Sequence, residues 1–134
     1  MNKELLLNTK LTKENPGTSV FEVREIETKQ VFPELGNNLF IIDVRKEEEY
    51  FDHHISGSIN VPVDKLNTYV NDNLVHLKSF NKIVCVCRRG NTSKVAVEIL
   101  HNYNLHSYSM AGGMEKWSAE DLPRIKPKGC HLKN

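Results

Sequence analysis

Residues 82–93 read KIVCVCRRGNTS, and residues 94–103 continue as KVAVEILHNY. The apolar run Ile83–Val86 is typical of a strand that is covered on both faces of a parallel sheet. The apolar residues of the second segment recur at helical spacing: Val95, Ala96, Ile99, Leu100 and Tyr103. The stretch therefore predicts a strand, a short polar loop and a helix, which is the repeating unit of α/β domains.

Strand and helix patterns alternate along the rest of the chain. Strands are predicted at residues 21–26 (a half-buried edge strand), 39–44, 58–61 and 107–111. Helices are predicted at residues 28–35 with Thr28 as the cap, 46–52, 63–77 with a break near 71–73, and 114–119. We therefore predict an α/β domain in which helices flank both faces of a central five-stranded parallel sheet.

The composition indicates one ordinary globular domain. The chain has 134 residues, 39% of them hydrophobic and 26% charged, and its net charge is +1. This balance gives no reason to expect nucleic-acid binding, and no apolar run approaches the ~20 residues of a membrane-spanning helix. We expect a flexible leader at residues 1–20, a domain at residues 21–123 and a basic tail at residues 124–134.

The cysteines and the first residues indicate a cytoplasmic protein. Only three cysteines are present, and two of them, Cys85 and Cys87, are separated by one residue. This number favours a reducing compartment in which thiols are kept for chemistry or packing. The opening residues 1–8 are too short and too polar for a secretory signal.

Cys87 is the candidate nucleophile because it lies at the carboxyl end of the strand predicted at 82–86, where open α/β sheets bind their ligands. Arg88 and Arg89 follow it, and residues 82–97 contain no acid. Guanidinium charge and the N-terminus of the following helix both stabilise a thiolate. The alternative is a structural role, in which Cys87 is a buried thiol that precedes a basic surface loop.

The loop after Cys87 carries groups that suit an anion. Gly90 allows a positive φ, so the amides of residues 88–92 can converge on one anion. The predicted substrate-binding residues are Arg88, Arg89, Gly90, Asn91, Thr92 and Ser93.

Three ordered motifs in the sequence resemble those of the rhodanese domain family. They are residues 42–45 (IDVR), 49–50 (EY) and 54–62 (HISGSINVP); residues 87–93 (CRRGNTS), which look like the active-site loop; and Gly112-Gly113 followed by Trp117. The resemblance extends from about residue 28 to residue 117.

The resemblance implies the rhodanese-like fold and a sulfurtransferase of the thiosulfate sulfurtransferase kind. In that family the cysteine matching Cys87 takes a sulfane sulfur from a donor such as thiosulfate and forms a persulfide. It then passes the sulfur to cyanide, a thiol or a protein thiol. Arg88 and Arg89 would bind the small anionic donor. No cofactor, metal, nucleic acid or membrane is implied.

The loop is also similar to that of the sulfur-donating C-terminal domains of ubiquitin-activating-like enzymes, which serve tRNA thiolation and molybdenum cofactor synthesis. Those domains usually have aspartate where Thr92 stands, whereas many bacterial single-domain rhodaneses have arginine there. The pathway and the physiological donor and acceptor therefore stay open at this level.

Two other functions are alternatives. A catalytically idle rhodanese module would act in partner docking or redox sensing, but such modules commonly lose the cysteine. Rhodanese-fold phosphatases and arsenate reductases have one more loop residue and an arginine six positions after the cysteine. Ser93 occupies that position here, so the charge that develops during phosphoryl transfer would lack a bidentate partner.

The remaining conspicuous residues are interpreted as supporting groups. Asp43 and Arg45 are expected to form a structural ion pair rather than to contact substrate, and His54 is expected to brace a loop. Cys85 shares the strand face of Cys87 at a deeper level, which favours an inert buried thiol over a resolving one. Cys130 is expected to be a disordered tail thiol, with sulfur acceptance from Cys87 as the alternative.

Overall fold

The computed structural model of the chain describes residues 21–127. The strands are β1 (Glu25–Ile26), β2 (Leu39–Asp43), β3 (Ile59–Asn60), β4 (Lys82–Val86) and β5 (Ser107–Met110). The helices are α1 (Thr28–Val31), α2 (Glu47–Asp52), α3 (Val63–Asp72), α4 (Leu74–Lys78), α5 (Thr92–His101) and α6 (Gly113–Ala119), and a 3-10 turn spans Phe32–Glu34. The leader predicted at residues 1–20 and the predicted tail from residue 128 onward, with Cys130, lie outside the described residues.

All strands belong to one parallel sheet, ordered β1-β5-β4-β2-β3. The predicted five-stranded parallel sheet is therefore confirmed. β4 lies at its centre, and its last residue, Val86, pairs with Asp43 at the end of β2. Because parallel strands end at the same edge, the segments after β2, β4 and β5 meet there.

Helices cover both faces of the sheet, which explains why β2 and β4 are apolar along most of their length. Cys85 and Cys87 point into one core, where Leu66 of α3 and Leu100 of α5 are buried. The alternate residues of β4 point into the second core, which contains Trp117 of α6. The side-chain alternation of one strand thus places both neighbouring cysteines on the α3/α5 side.

The helix predicted at residues 63–77 is divided into α3 and α4 at Asn73. The side-chain amide of Asn73 donates a hydrogen bond to the carbonyl oxygen of Tyr69 at 2.8 Å. Asparagine favours such local bonds over a continuous helix, so the predicted break is confirmed.

Two local predictions were wrong. The first strand is limited to Glu25–Ile26. Phe21, where the predicted strand begins, instead stacks on the imidazole of His101 with ring centroids 3.9 Å apart. The cap of α1 is Glu27 rather than Thr28. The Glu27 amide donates to the Gln30 side chain, whereas the Thr28 hydroxyl donates to Glu120.

The segment after α6 is fixed to the domain. The Trp117 indole donates to the carbonyl oxygen of Pro123 at 2.8 Å, and Ile125 forms an isolated antiparallel bridge with His54. The predicted boundary at residue 123 stays a prediction, although residues just beyond it are paired. Within residues 21–127, no helix combines the length and apolar character needed to cross a bilayer.

Among the glycines of the described residues, Gly113 is the one where an added side chain meets backbone most closely. Its φ is +59°, and an added Cβ would lie 2.5 Å from the carbonyl oxygens of Cys87 and Arg88. Gly36 has a φ of +86° but open space around the Cβ position. The two glycines therefore share the left-handed backbone and differ in their surroundings.

We expect Gly113→Ala to lower the free energy of unfolding by about 3 kcal/mol, combining the left-handed backbone penalty with an overlap against backbone. Gly36→Ala should lose only about 1 kcal/mol, since it carries the backbone penalty alone. Urea unfolding of both variants measures the difference. Equal losses would show that the close approach at Gly113 does not matter.

Candidate active site

Cys87 follows β4 directly, and the residue is 3% exposed. Its Sγ accepts hydrogen bonds from the backbone N–H groups of Gly90 at 3.0 Å and Ser93 at 3.2 Å. The thiol donates to the Ser93 hydroxyl at 3.3 Å. Two backbone N–H groups thus converge on Sγ, so the loop surrounds the sulfur with hydrogen-bond donors.

The conformation of Gly90 makes this loop possible. Its φ of +99° lies in a region that L side chains rarely adopt, and an added Cβ would lie 3.1 Å from the amide nitrogen of Gly112. The chain can therefore turn back over Cys87 and present the amides of Gly90 and Ser93 to the same sulfur.

Buried hydroxyls support the loop from below. The Ser93 and Ser109 hydroxyls are hydrogen bonded at 2.7 Å, and Ser109 also donates to the Gly90 carbonyl oxygen at 3.5 Å. Both serines have no exposed surface. Since Ser109 belongs to β5, the neighbouring strand fixes the position of the Cys87 loop.

The first turn of α6 holds the loop from the side. The amide of Met114 donates to the Cys87 carbonyl oxygen at 2.8 Å, and the amide of Glu115 donates to the Arg88 carbonyl oxygen at 2.9 Å. These are N–H groups that a helix cannot satisfy internally. Gly113 permits this approach because it has no side chain to place between helix and loop.

Arg88 and Arg89 are exposed, by 61% and 64% of their side-chain surface, and both pair with Glu115. Their Nε atoms lie 3.3 Å and 3.1 Å from the same carboxylate oxygen. The loop itself contains no acid, but the fold supplies one from α6. The positive charge expected from the sequence is therefore partly neutralised.

A cavity of about 160 Å³ opens beside the sulfur. It is lined by Cys87, Arg88, Arg89, Asn91 and Thr92. Four of the predicted substrate-binding residues therefore line this cavity together with Cys87. The other two, Gly90 and Ser93, contact Sγ directly instead. Arg88 also lines a larger cavity of about 540 Å³ between α2 and α6.

Cys85 has a different environment from Cys87. It is completely buried in β4, and burial raises the pKa of its thiol to about 12. A thiol with this pKa stays protonated at neutral pH and is a poor nucleophile.

Asp43 and Arg45 lie at the same edge of the sheet as the loop and form a buried ion pair. The guanidinium Nη2 of Arg45 lies 2.9 Å from the carboxylate of Asp43 and donates to the His53 carbonyl oxygen at 2.6 Å. Both charges are thus committed to each other and to the backbone. Arg45 also lines the larger cavity.

His54 braces the segment after α2. Its ring stacks on Tyr50 with centroids 3.8 Å apart, and its Nδ1 lies 2.8 Å from the Tyr50 carbonyl oxygen. Its backbone pairs with Ile125. All these contacts are internal to the fold.

Sequence reasoning missed Glu115 and Ser109. Each contacts the loop from a separate element, 16 to 27 residues along the chain from its partners. Glu115 follows the Gly112-Gly113 motif, which is part of the resemblance to the rhodanese family. Its position two residues after this motif is the one signal in the sequence for an acid beside the loop.

The family model for the rhodanese-like domain matches residues 24–120. The chain is 33% identical over 98 residues to the adenylyltransferase and sulfurtransferase MOCS3 of Oryza sativa, covering 66% of this chain and 22% of that protein. It is 30% identical over 87 residues to the adenylyltransferase and sulfurtransferase uba4 of Ogataea parapolymorpha, covering 64% of this chain and again 22% of the relative. The chain thus spans about a fifth of the length of these two relatives.

Among solved structures, a rhodanese-related protein from Thermoplasma volcanium superposes with a TM-score of 0.65 at 26% identity, covering 78% of this chain and 99% of that one. The resemblance found in the sequence motifs and the predicted fold class are both confirmed. With the family model matching most of its length, the chain belongs to the rhodanese-like domain family.

Proposed function

We propose that the protein is a sulfurtransferase that carries sulfane sulfur as a persulfide on Cys87. The observation that carries this proposal is the environment of the Cys87 sulfur. The amides of Gly90 and Ser93 donate hydrogen bonds to it, and Cys87 lines a cavity that Arg88 and Arg89 also line. Family membership and the names of the relatives support the same kind of activity.

The first half-reaction transfers sulfur to the enzyme. The Cys87 thiolate attacks the sulfane sulfur of thiosulfate, and a bond forms between Sγ and that sulfur. The sulfur–sulfur bond of thiosulfate breaks, and sulfite leaves with the electron pair. The donor is an anion, so the guanidiniums of Arg88 and Arg89 are suited to bind it.

The second half-reaction returns the enzyme to its starting state. A nucleophilic acceptor, such as cyanide or a thiolate, attacks the terminal sulfur and forms a bond to it. The bond between this sulfur and Sγ breaks, and the Cys87 thiolate leaves. Between the two steps the terminal sulfur carries a negative charge, and we assign its stabilisation to the amides of the loop at residues 88–92.

Thiosulfate serves here as the test donor. The relatives named as adenylyltransferases and sulfurtransferases are several times longer than the matched region. Their adenylyltransferase activity is not part of the proposal. The acceptor is proposed by class only, as a thiol or a protein thiol.

A phosphatase reaction is disfavoured by Ser93. Its amide and hydroxyl contact the Cys87 sulfur, and its hydroxyl also contacts Ser109. An arginine that clamps an oxyanion would have to occupy this fully buried position, where the present packing leaves no room for one.

We expect Cys87→Ser to reduce thiosulfate–cyanide sulfur transfer by more than about a thousandfold, because loss of a nucleophile removes the covalent route. Cys85→Ala should keep transfer, since that thiol is completely buried and does not line the cavity beside Cys87. Steady-state assays of both variants, with circular dichroism as the folding check, make the measurement. Residual transfer near wild type in Cys87→Ser would refute the assignment.

The two thiols should also differ in their reaction with iodoacetamide in the native protein. Because burial holds the pKa of Cys85 at about 12, its thiolate is scarce from pH 7 to 9 and begins to accumulate only as the pH approaches 12. Peptide mapping should therefore find Cys87 modified and Cys85 intact over that range. Labelling of Cys85 in the folded protein at pH 7 would contradict its buried, protonated state.

A further inference from the structure

Glu115 stands out because one carboxylate oxygen serves two guanidiniums. Its Oε2 lies 3.3 Å from Nε of Arg88 and 3.1 Å from Nε of Arg89. No other carboxylate in residues 21–127 forms ion pairs with two arginines. The two cationic groups suited to an anionic donor are thus already paired.

The position of this carboxylate is set by the backbone. The amide of Glu115 donates to the Arg88 carbonyl oxygen at 2.9 Å, in the turn where α6 meets the loop. The backbones of Glu115 and Arg88 are therefore held side by side, which keeps the carboxylate within reach of both guanidiniums. Neither element can move away without breaking this bond.

The side chains themselves are free to exchange partners. Glu115 is 51% exposed and both arginine side chains are more exposed than that. Exposed ion pairs contribute little free energy, so an incoming anion can replace the carboxylate. The Glu115 side chain would then turn into solvent.

We propose that Glu115 sets the affinity of the site for anionic sulfur donors by competing with them for Arg88 and Arg89. This inference rests on the proposed function and concerns donor binding alone. No hydrogen bond or ion pair joins Glu115 to the Cys87 sulfur in the described chain, so it is a specificity-determining residue rather than a catalytic one.

The competing interpretation is that Glu115 orients the arginines and so helps the donor to bind. The two interpretations predict opposite signs. Loss of a competitor strengthens anion binding, whereas loss of an orienting group weakens it.

The test compares Glu115→Gln with Glu48→Gln. Both variants remove one negative charge, and Glu48 lines the 540 Å³ cavity together with Arg88 and Glu115. Glu48 forms no ion pair with either arginine in the described part of the chain. It therefore controls for the change in net charge.

In the thiosulfate–cyanide assay we expect Glu115→Gln to lower KM for thiosulfate roughly two- to fivefold, as the release of exposed ion pairs allows. The effect should fall on KM more than on kcat, and it should shrink as salt is added. Glu48→Gln should change KM by less. A KM that rises, or that changes equally in both variants, would overturn the inference.

A second measurement does not depend on turnover. Sulfate that binds the arginines should protect Cys87 from iodoacetamide, a neutral reagent, and Glu115→Gln should reach half-protection at a correspondingly lower sulfate concentration. This shift in a protein that fails to turn over thiosulfate would support Glu115 and refute the proposed reaction. Normal turnover with no shift would refute the role of Glu115 alone.

Discussion

The contact between the first turn of α6 and the peptide carbonyls of Cys87 and Arg88 is the constraint on which the site depends. Two helix N–H groups, those of Met114 and Glu115, donate to these carbonyls, and Gly113 allows the approach. With its carbonyls fixed from the side, the loop can turn its remaining amides inward. The same two hydrogen bonds therefore give partners to N–H groups at the start of α6 and fix the loop around the Cys87 sulfur.

The central strand β4 gives two nearby thiols different environments. Cys85 and Cys87 share a strand face and are separated by one residue, yet one lies within the core and the other at the edge of the sheet. Burial raises the pKa of Cys85, while Cys87 meets two amides and a cavity lined by arginines. The end of β4 therefore separates a thiol that only packs in the core from one that lines a cavity.

The sequence predicted the features that depend on local pattern. Apolar runs covered on both faces identify β2 and β4, and the pattern from Cys87 to Ser93 predicts the loop that surrounds the Cys87 sulfur. The sequence pattern did not predict contacts between segments that are far apart in the chain. The pairing of Glu115 with Arg88, and the support of Ser93 by Ser109, arise only because the parallel sheet places β4 and β5 side by side. The cap of α1 was misassigned because Glu27 and Thr28 are both plausible caps and tertiary contacts decide between them.

The most direct test is to treat the native protein with thiosulfate, remove the excess, and locate added sulfur by peptide mass spectrometry. The account predicts the mass of one additional sulfur atom on the peptide that contains Cys87, on the Cys87 side chain, and its loss when cyanide is added. Sulfur found only on another cysteine, or none retained by a folded protein, would contradict it.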